Sequence, residues 1–260
     1  MITTLLVGLI LVSAFLALLF WVQRRTGNAA IADVGWTGGI ALLVVMYAIT
    51  LADQTLRTWV IALLASFWAL RLTYHVLIYR VIGKPEDGRY TAMRKYWGDR
   101  ANSRLFLFFQ GQAIAAWLFA LPALAAMLAP RASFSGWDWL GLAIWVIAIV
   151  GESIADHQLE SFRSNPDNKG KTCRAGLWRY SRHPNYFFEW IHWFAYVAFA
   201  VGHAAWWFTL LGPLVMLVTL FRFTGIPYTE NQAVKSRGDD YRRYQQTTSP
   251  FIPWPPKEKV

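Results

Sequence analysis

The residues from Arg179 to Glu189 carry the clearest chemical pattern in the chain, reading Arg-Tyr-Ser-Arg-His-Pro-Asn-Tyr-Phe-Phe-Glu. Proline suits the first position of a helix because its missing N–H would be unpaired there, so the stretch predicts a helix that begins at about Pro184. The free N–H groups and positive dipole end of such a helix favour an anion, and Arg179, Arg182 and His183 stand beside them. The pattern predicts a site for a phosphate-bearing ligand.

Polar residues continue from this helix start into an otherwise apolar segment. Asn185, Glu189 and His192 follow one another at intervals of four and three residues, which places them on one helical face. Basic residues beside a membrane helix are also ordinary topology signals. A carboxylate inside a membrane segment is costly and usually functional, so Glu189 favours the ligand site.

The composition is that of a membrane protein. The chain has 260 residues, of which 56% are hydrophobic and 15% charged, and it contains 15 tryptophans and a single cysteine. This is too apolar for a soluble domain. The lone Cys173 excludes an internal disulfide and a thiol-based metal site. The five histidines are scattered, and the sequence has neither an HExxH zinc motif nor a GxGxxG cradle, so no metal is expected.

Apolar runs of about 20 residues predict an all-α integral membrane protein with seven transmembrane helices in one domain, residues 1–260. The runs lie at 2–22, 35–52, 56–79, 105–129, 136–155, 184–203 and 205–223. The first run lacks the features of a cleaved signal peptide and is expected to be retained.

The basic residues predict the orientation of these runs. Arg57 and Arg131 fall on one side, Arg71 lies within a run, and every other Lys and Arg falls on the opposite side. The positive-inside rule places that opposite side in the cytoplasm. We therefore expect the N-terminus outside, the C-terminus and long loops in the cytoplasm, and a location in the bacterial inner (cytoplasmic) membrane.

The first half of the chain offers residues for the substrate and the chemistry. Asp33 lies at the entry of the second run with Trp36 one turn on, and it suits either a proton donor or a helix N-cap. The third run holds Arg71 and Tyr74 among other polar-capable groups, which favours an internal cavity over a lipid face. Gln110 interrupts the fourth run and is expected to point into the bundle.

Residues 81–104 combine a turn with an amphipathic pattern. Tyr90, Met93 and Trp97 recur at helical spacing, which predicts a helix in the membrane interface with its basic side toward water. The alternative use of this region is as a cover, with residues 86–89 folding over a bound cofactor.

The second half adds charged residues beside the opening motif. Asp156 and Arg163 share a face at the end of the fifth run, where a carboxylate opposes the helix dipole and needs another partner such as ribose hydroxyls. Lys171 follows in the next loop. Near the C-terminus, Tyr241 and Tyr244 flank two arginines, and their spacing favours pinning the tail to the bundle over holding phosphate.

These residues resemble the membrane steroid 5α-reductase (3-oxo-5α-steroid 4-dehydrogenase) family, in particular a bacterial branch catalogued as a domain of unknown function. The resemblance is strongest over residues 152–256. It rests on Asp156 followed by Arg163, the Gly176-Leu177 turn, Asn185 with Glu189 four residues later, and the ending from Asp240-Tyr241 to Pro253. It implies a seven-helix oxidoreductase that binds NADPH in a cytoplasm-facing cavity and reduces the Δ4 double bond of a 3-oxosteroid.

The resemblance implies cofactor contacts at Asp156, Arg163, Asn185, Glu189 and Tyr241, and also at Arg71 and Arg80. Residues beside the opening motif and near the C-terminus are added to this set. The expected cofactor site is then Arg71, Arg80, Asp156, Arg163, Lys171, Arg179, Arg182, His183, Asn185, Glu189, Glu230, Tyr241 and Tyr244. Trp36 and Gln110 are expected at an apolar steroid-like or isoprenoid enone. Asp33 or Tyr74 is expected to donate a proton to the enolate oxygen.

The sequence departs from the family near the chemistry. The family has a Gln-Glu pair in the second span and a Tyr three residues before an intramembrane Arg. Here the acid of the second run is Asp33, and Trp68 precedes Arg71.

The alternative function is an S-adenosylmethionine-dependent membrane methyltransferase of the isoprenylcysteine or phospholipid type. The Arg-His-Pro-x-Tyr motif and a Glu followed by a Tyr pair resemble those enzymes too. The basic loop 80–104 favours the reductase, because pyrophosphate needs cations and a sulfonium cofactor does not. Glu189 favours it too, since it stands where those methyltransferases commonly have a small residue. A lipid-binding or scaffold protein leaves the charged residues inside the membrane unexplained. A monomer among membrane lipids, without nucleic acid, is expected.

Overall fold

The computed structural model describes residues 1–129, 133–204, 206–223 and 225–257. Its helices are α1 (Ile2–Thr26), α2 (Ile31–Thr50), α3 (Leu56–Val76), α4 (Gly88–Trp97), α5 (Ala101–Met127), α6 (Gly136–Ser164), α7 (Pro184–Ala200), α8 (Leu211–Val218), α9 (Ile226–Arg237) and α10 (Asp239–Thr247). A π-turn, Leu77–Val81, continues α3; a 3-10 turn, Trp206–Leu210, precedes α8, and a π-turn, Thr219–Phe223, follows it. The extended pairing seen in the described ranges is one isolated bridge between Ser181 and Ser249.

Six helical stretches in the described ranges are long and apolar enough to cross a membrane. They are Ile2–Thr26, Ile31–Thr50, Leu56–Val81, Gly88–Met127, Gly136–Ser164 and Trp206–Arg237. The prediction of a membrane protein with transmembrane helices is confirmed. The remaining predicted span, 184–203, corresponds to α7, which has 17 residues.

The chain divides into two compact units, Met1–Ser133 and Phe134–Val260. In the first unit, glycines on α2 allow α1 to approach closely. A Cβ atom at Gly35 would overlap the Leu16 side chain, and one at Gly39 would lie 2.8 Å from Val12. Small residues at such positions are typical of helix contacts in membranes, where close backbone approach supplies the packing energy.

Arg57, in the first turn of α3, is buried within the first unit. Its Nη1 donates to the Ala126 carbonyl at 2.9 Å and to the Ala129 carbonyl at 3.3 Å. The final carbonyls of a helix lack intrahelical partners, and the helix dipole favours a cation there. Arg57 therefore caps the C-terminal end of α5.

In the second unit, α6 and α7 pack closely at two glycines of α6. A Cβ atom at Gly151 would overlap the Phe188 ring, and one at Gly141 would lie 2.9 Å from the Phe199 ring. Because the earlier glycine meets the later phenylalanine, the two helices are antiparallel. The C-terminal part of α6 consequently lies beside the N-terminal part of α7.

The predicted start of α7 at Pro184 is confirmed. Pro184 occupies the first turn and His183 is the N-cap residue, with φ −139° and ψ 59°. This conformation lies outside the helical region, which a following proline disfavours for the residue before it.

Candidate functional site

Asp156 on α6 and Asn185 on the first turn of α7 are in direct contact. The Asn185 Nδ2 atom donates to Asp156 Oδ1 at 3.1 Å, and both side chains are partly buried. The amide gives this carboxylate a donor near the C-terminal end of α6, where the helix dipole disfavours negative charge. Two residues predicted to bind the cofactor are therefore brought together by the antiparallel packing of their helices.

The predicted cations Arg163, Lys171 and Arg179 are exposed. Arg163 lies in the last turn of α6, and Arg179 ends the 3-10 turn Gly176–Arg179. In the described part of the chain, no side-chain hydrogen bond or ion pair occupies Lys171 or Arg179. These two charges are therefore available to a ligand.

The Gly176-Leu177 turn that precedes Arg179 is fixed against α6. Gly176 has φ 57°, in the left-handed region that favours glycine, and a Cβ atom there would overlap the Gln158 side chain. Gln158 Oε1 accepts the Leu177 N–H at 2.9 Å. The Trp178 indole donates to a carbonyl of α6 at 2.9 Å. The basic loop is thus held by α6 on one side.

Glu230 on α9 is the centre of a polar cluster that we call the Glu230 cluster. Arg182 Nε donates to Glu230 Oε1 at 2.6 Å, and His183 Nε2 lies 3.3 Å from the same oxygen. Gln245 Nε2 donates to Oε2 at 2.8 Å, and the Tyr241 hydroxyl lies 3.5 Å from Oε1. All the members except Gln245 are predicted cofactor residues. The structure bonds them to one another, which makes the cluster a structural junction.

Two further contacts tie the C-terminal helices to the segment before α7. Arg182 Nη1 donates to the carbonyls of Gln245 and Thr248, at 2.7 and 3.2 Å. The Tyr244 hydroxyl donates to the carbonyls of Trp178 and Ser181. Burial raises the pKa of Tyr244, so the phenol remains a donor at neutral pH. The prediction that the tyrosines pin the tail is confirmed for Tyr244, whereas Tyr241 contacts Glu230 within the tail.

His183 is buried between Glu230 and the first turn of α7. Its ring stacks on Tyr186 at a centroid distance of 5.4 Å. Burial lowers the pKa of His183, and this effect outweighs the hydrogen bond that His183 makes to Glu230, which raises the pKa. The neutral imidazole is therefore favoured at pH 7.

The polar stripe predicted along α7 divides between two environments. Glu189 is partly buried, one turn after Asn185. His192 is fully buried, and its Nε2 lies 2.9 Å from the Tyr196 hydroxyl. Asn185 therefore faces α6, whereas His192 belongs to the interior of the second unit.

In the first unit, Asp33 anchors α4. Arg89 Nη2 donates to Asp33 Oδ2 at 2.8 Å, and the Tyr90 hydroxyl donates to Oδ1 at 2.7 Å. The N-cap alternative is wrong, because the N-cap of α2 is Ala30 and Asp33 lies within the first turn. Since both partners donate, Asp33 acts as an accepting carboxylate in an ion pair. This does not suit the neutral acid that proton donation requires.

Glu86 and Arg94 attach the same region to α1 and to the loop between α1 and α2. Glu86 Oε1 accepts the Ala29 N–H at 2.9 Å and the Arg94 Nε at 3.1 Å. Arg94 Nη2 also donates to Gln23 Oε1 at 2.8 Å. The predicted helix is confirmed as α4, and these contacts use the side chains that the alternative assigned to a cofactor cover.

Tyr74 lies on the outer face of α3 and is 64% exposed. This placement differs from the expected phenol in a dry cavity, because the spacing of polar residues along α3 does not say which face of the helix is inward. Arg71, one turn earlier, is partly buried, and its Nε and Nη2 atoms are enclosed. Arg80, in the π-turn, is exposed.

The two predicted substrate residues lie inside the first unit. Trp36 packs edge-on against Phe119, with ring centroids 5.5 Å apart, and its indole nitrogen is enclosed. Gln110 Nε2 donates to the Ser13 carbonyl at 3.4 Å. The expectation that Gln110 points into the bundle is confirmed, and its contact joins α5 to α1.

A cleft of about 290 Å³ opens between α10 and the C-terminal segment. Its lining includes Arg182, Thr248, Ser249, Trp254 and Lys257. Of the described residues predicted to bind the cofactor, this lining contains Arg182 alone. The cleft is therefore distinct from the contact between α6 and α7.

Residues 19–248 match the family described as Protein of unknown function (DUF1295). The chain belongs to the DUF1295 family. Among curated proteins, it is similar to the uncharacterized protein C594.04c of Schizosaccharomyces pombe, with 28% identity over 220 residues. That similarity covers 74% of this chain and 63% of the relative, so the chain spans less than two thirds of the relative's length. No solved structure matches the chain.

The DUF1295 region contains all the residues predicted for the site, from Asp33 to Tyr244. It ends before the proline-rich segment that follows α10. Sequence reasoning missed Gln245, Arg89 and Tyr90 as partners of the predicted acids. The amphipathic pattern of α4 placed Arg89 and Tyr90 near the membrane surface but carried no signal for the residue they contact.

Proposed function

We propose that this DUF1295 protein is an NADPH-dependent membrane oxidoreductase that reduces the Δ4 double bond of a 3-oxosteroid or a similar apolar enone. The observation that supports this best is the hydrogen bond between Asn185 and Asp156. These two residues lie far apart in sequence, and both carry the resemblance to the steroid 5α-reductases. Their contact is what a shared role at one ligand predicts.

The donors and acceptors around this contact fit a dinucleotide phosphate. Lys171 and Arg179 are exposed cations on the loop that leads into α7, and a charge-assisted hydrogen bond to phosphate contributes about 1.5–3 kcal/mol. Asp156 and Asn185 provide an acceptor and an amide for ribose hydroxyls or a carboxamide. The residues proposed to hold NADPH are Asp156, Arg163, Lys171, Arg179, Asn185 and Glu189.

The Glu230 cluster has a positioning role in this proposal. Arg182 and His183 immediately precede Pro184 and bond to Glu230, so the cluster fixes the first turn of α7. Tyr244 fixes the loop on the other side through the carbonyls of Trp178 and Ser181. A preorganised site of this kind loses little entropy when a ligand binds.

NADPH, when bound, supplies a hydride for the β-carbon of the conjugated enone. The substrate oxygen then needs a donor as negative charge develops on it. The ion pair of Asp33 with Arg89 and the exposure of Tyr74 argue against either residue as that donor. The apolar helices exclude bulk water, which strengthens each electrostatic contact to the substrate.

We also propose that α7 is the seventh membrane span, with the basic loops and the C-terminal helices in the cytoplasm of a bacterial cell. Its 17 residues correspond to about 26 Å of helix, close to the thickness of a hydrocarbon core of about 30 Å. The antiparallel packing of α7 on α6 supports this, because α6 is itself long and apolar enough to span.

The decisive experiment is a binding titration of the detergent-purified protein with NADPH, NADH and S-adenosylmethionine. We expect NADPH to bind more tightly than NADH, because the 2′-phosphate adds a contact to the basic loop, and S-adenosylmethionine not to bind. Binding of S-adenosylmethionine alone would establish the methyltransferase alternative and overturn the reductase.

The reaction is tested by incubating membranes with NADPH and progesterone or testosterone and detecting the 5α-dihydro product by mass spectrometry. We expect Asn185→Ala and Glu189→Ala to abolish turnover while the protein remains folded. Glu160→Ala is the matched control, because Glu160 is an exposed carboxylate on α6. Wild-type turnover in Glu189→Ala would exclude that residue from the site.

A further inference from the structure

The C-terminal segment, residues 249–256, follows α10 and has no part in the proposed reaction. Its sequence is Ser-Pro-Phe-Ile-Pro-Trp-Pro-Pro, in which half of the residues are proline. It lies beyond the DUF1295 match. Its composition and its contacts point to a separate role.

Hydrogen bonds hold the C-terminal segment along the residues that precede α7. The Arg182 N–H donates to the Ser249 carbonyl at 2.8 Å, and the Trp254 N–H donates to the Tyr180 carbonyl at 2.9 Å. The Ser181 hydroxyl donates to the Phe251 carbonyl at 2.7 Å. The segment therefore has a fixed position at the start of α7.

The aromatic contacts of Phe251 set the depth of the segment. Its buried ring lies 5.8 Å from that of Phe187 and 5.6 Å from that of Trp190, one and two turns into α7. Phe188, beside these residues, packs on Gly151 of α6. The first twenty residues of α6, 136–155, span a hydrocarbon core of about 30 Å. Gly151 lies four residues before the end of this stretch, so it is about 6 Å inside the core on that side. Phe251 is therefore level with the apolar part of α6.

Two large apolar residues that follow Phe251 are exposed, and Ile252, next to it in the chain, lies at its depth. Ile252 is 58% exposed and Trp254 is 69% exposed. Surface at the level of the hydrocarbon core meets lipid, and tryptophan prefers the boundary between the core and the headgroups. Prolines lack an N–H group, which suits a backbone in lipid because an unsatisfied donor is costly there. Lys257, exposed just after the segment, suits anionic headgroups.

We propose that the C-terminal segment is a membrane wedge in which Ile252 and Trp254 insert into the leaflet where α7 begins, so that phospholipid covers this face. The wedge is linked to the Glu230 cluster through Arg182, which bonds to the Ser249 carbonyl and to Glu230. Lipid contact thereby stabilises the first turn of α7. This inference does not depend on the reaction.

The experiment measures the depth of single labelled cysteines in the full chain. Cys173 is buried and is replaced by serine to remove its thiol. Ile252→Cys and, separately, Trp254→Cys are labelled with bimane and placed in nanodiscs of phosphatidylcholine and phosphatidylglycerol. Gln246→Cys is the matched control, because Gln246 is exposed on α10 and lies close in sequence.

We expect doxyl-labelled lipid to quench most of the bimane fluorescence at positions 252 and 254, and aqueous iodide to quench little. At position 246 the two quenchers should have the opposite effects. Quenching by iodide at all three positions would place the segment in water and overturn the proposal. Protection from both quenchers at position 252 would mean that protein, such as a second copy of this chain, covers the face, and that result overturns it too.

Discussion

Arg182 Nε and Glu230 Oε1 lie 2.6 Å apart, and their side chains are only 10% and 15% exposed. The two residues are 48 positions apart in the chain. Arg182 lies two residues before Pro184, so this ion pair is how α9 holds the start of α7. Removal of one partner would leave the other charge sheltered from water and uncompensated.

Glu230→Ala should therefore destabilise the protein by roughly 3–5 kcal/mol, as breaking a buried pair does. Unfolding by SDS titration in mixed micelles would measure the loss. Asp239→Ala is the control, because the Asp239–Arg242 pair has exposed side chains, at 81% and 60%, and exposed pairs contribute only about 0–1 kcal/mol. Equal losses in the two variants would contradict the role of the Glu230 cluster.

Gly151→Ala should separate α6 from α7, because the new Cβ atom would overlap the Phe188 ring. Overpacking of this kind costs about 1–3 kcal/mol. In Gly111→Ala, nothing lies within 4 Å of the new Cβ atom on α5, and alanine gains up to about 1 kcal/mol of helix propensity. The same unfolding titration compares them. Unchanged stability in Gly151→Ala would show that the helices pack less closely than described.

Lys171→Gln and Arg179→Gln should each raise the Kd for NADPH about tenfold or more, since each removes a charge-assisted contact to phosphate. Lys235→Gln, at an exposed lysine of α9, should leave the Kd unchanged. Titration of each purified variant with NADPH gives the comparison. If all three variants bind alike, the basic loop does not contact the cofactor.

Acidification should destabilise the second unit through His183. Burial places the folded-state pKa of His183 below its ordinary value of about 6.5, so the imidazole stabilises the fold while it is neutral. That contribution is present above pH ~6.5 and is lost as the pH falls through the lower folded-state pKa. Melting curves from pH 8 to pH 5 should show the loss in the wild type and less of it in His183→Gln.

His157→Gln is the matched control for this measurement, because His157 is an exposed histidine of the same unit. It should retain the pH dependence of the wild type. A profile for His183→Gln that coincides with that of the wild type would assign the acid sensitivity to other groups.

Asp33→Asn should loosen α4, because the variant loses the charge that holds Arg89. We expect faster tryptic cleavage after Lys95, an exposed lysine of α4, and unchanged cleavage in Asp53→Asn, where the aspartate is exposed. We also expect turnover to fall far more in Asp33→Asn than in Asp53→Asn. Lost turnover with unchanged cleavage would return Asp33 to the role of proton donor.

Several features were predictable because their causes are local. Pro184 sets its own φ and restricts His183, so the start of α7 could be placed from two residues. The start of α2 was placed too late, at residue 35 instead of Ile31. An apolar run marks only the part of a helix that crosses the hydrocarbon core. The turns that extend into the headgroup region carry polar residues and so fall outside the run. The same reason explains why α6 continues to Ser164, beyond the predicted end at residue 155.

The partners of the charged residues could not be predicted. Asp33 and Arg89 are 56 positions apart, and the sequence offers many other cations within reach of a carboxylate. Arg182 was correctly placed beside the start of α7, but the anion next to it is Glu230 of this chain. Spacing shows which residues share a helical face and gives no information on which faces meet.

Arg57 and the carbonyl that it caps are made at different times. The Ala126 carbonyl lies 69 positions after Arg57, and a ribosome adds about 5–20 residues per second, so roughly 3–14 s separate the two. During this interval the guanidinium needs water or another partner, because a buried cation without one is costly. The Arg57 cap therefore forms only after α5 has been made, so α3 and α5 complete their packing together.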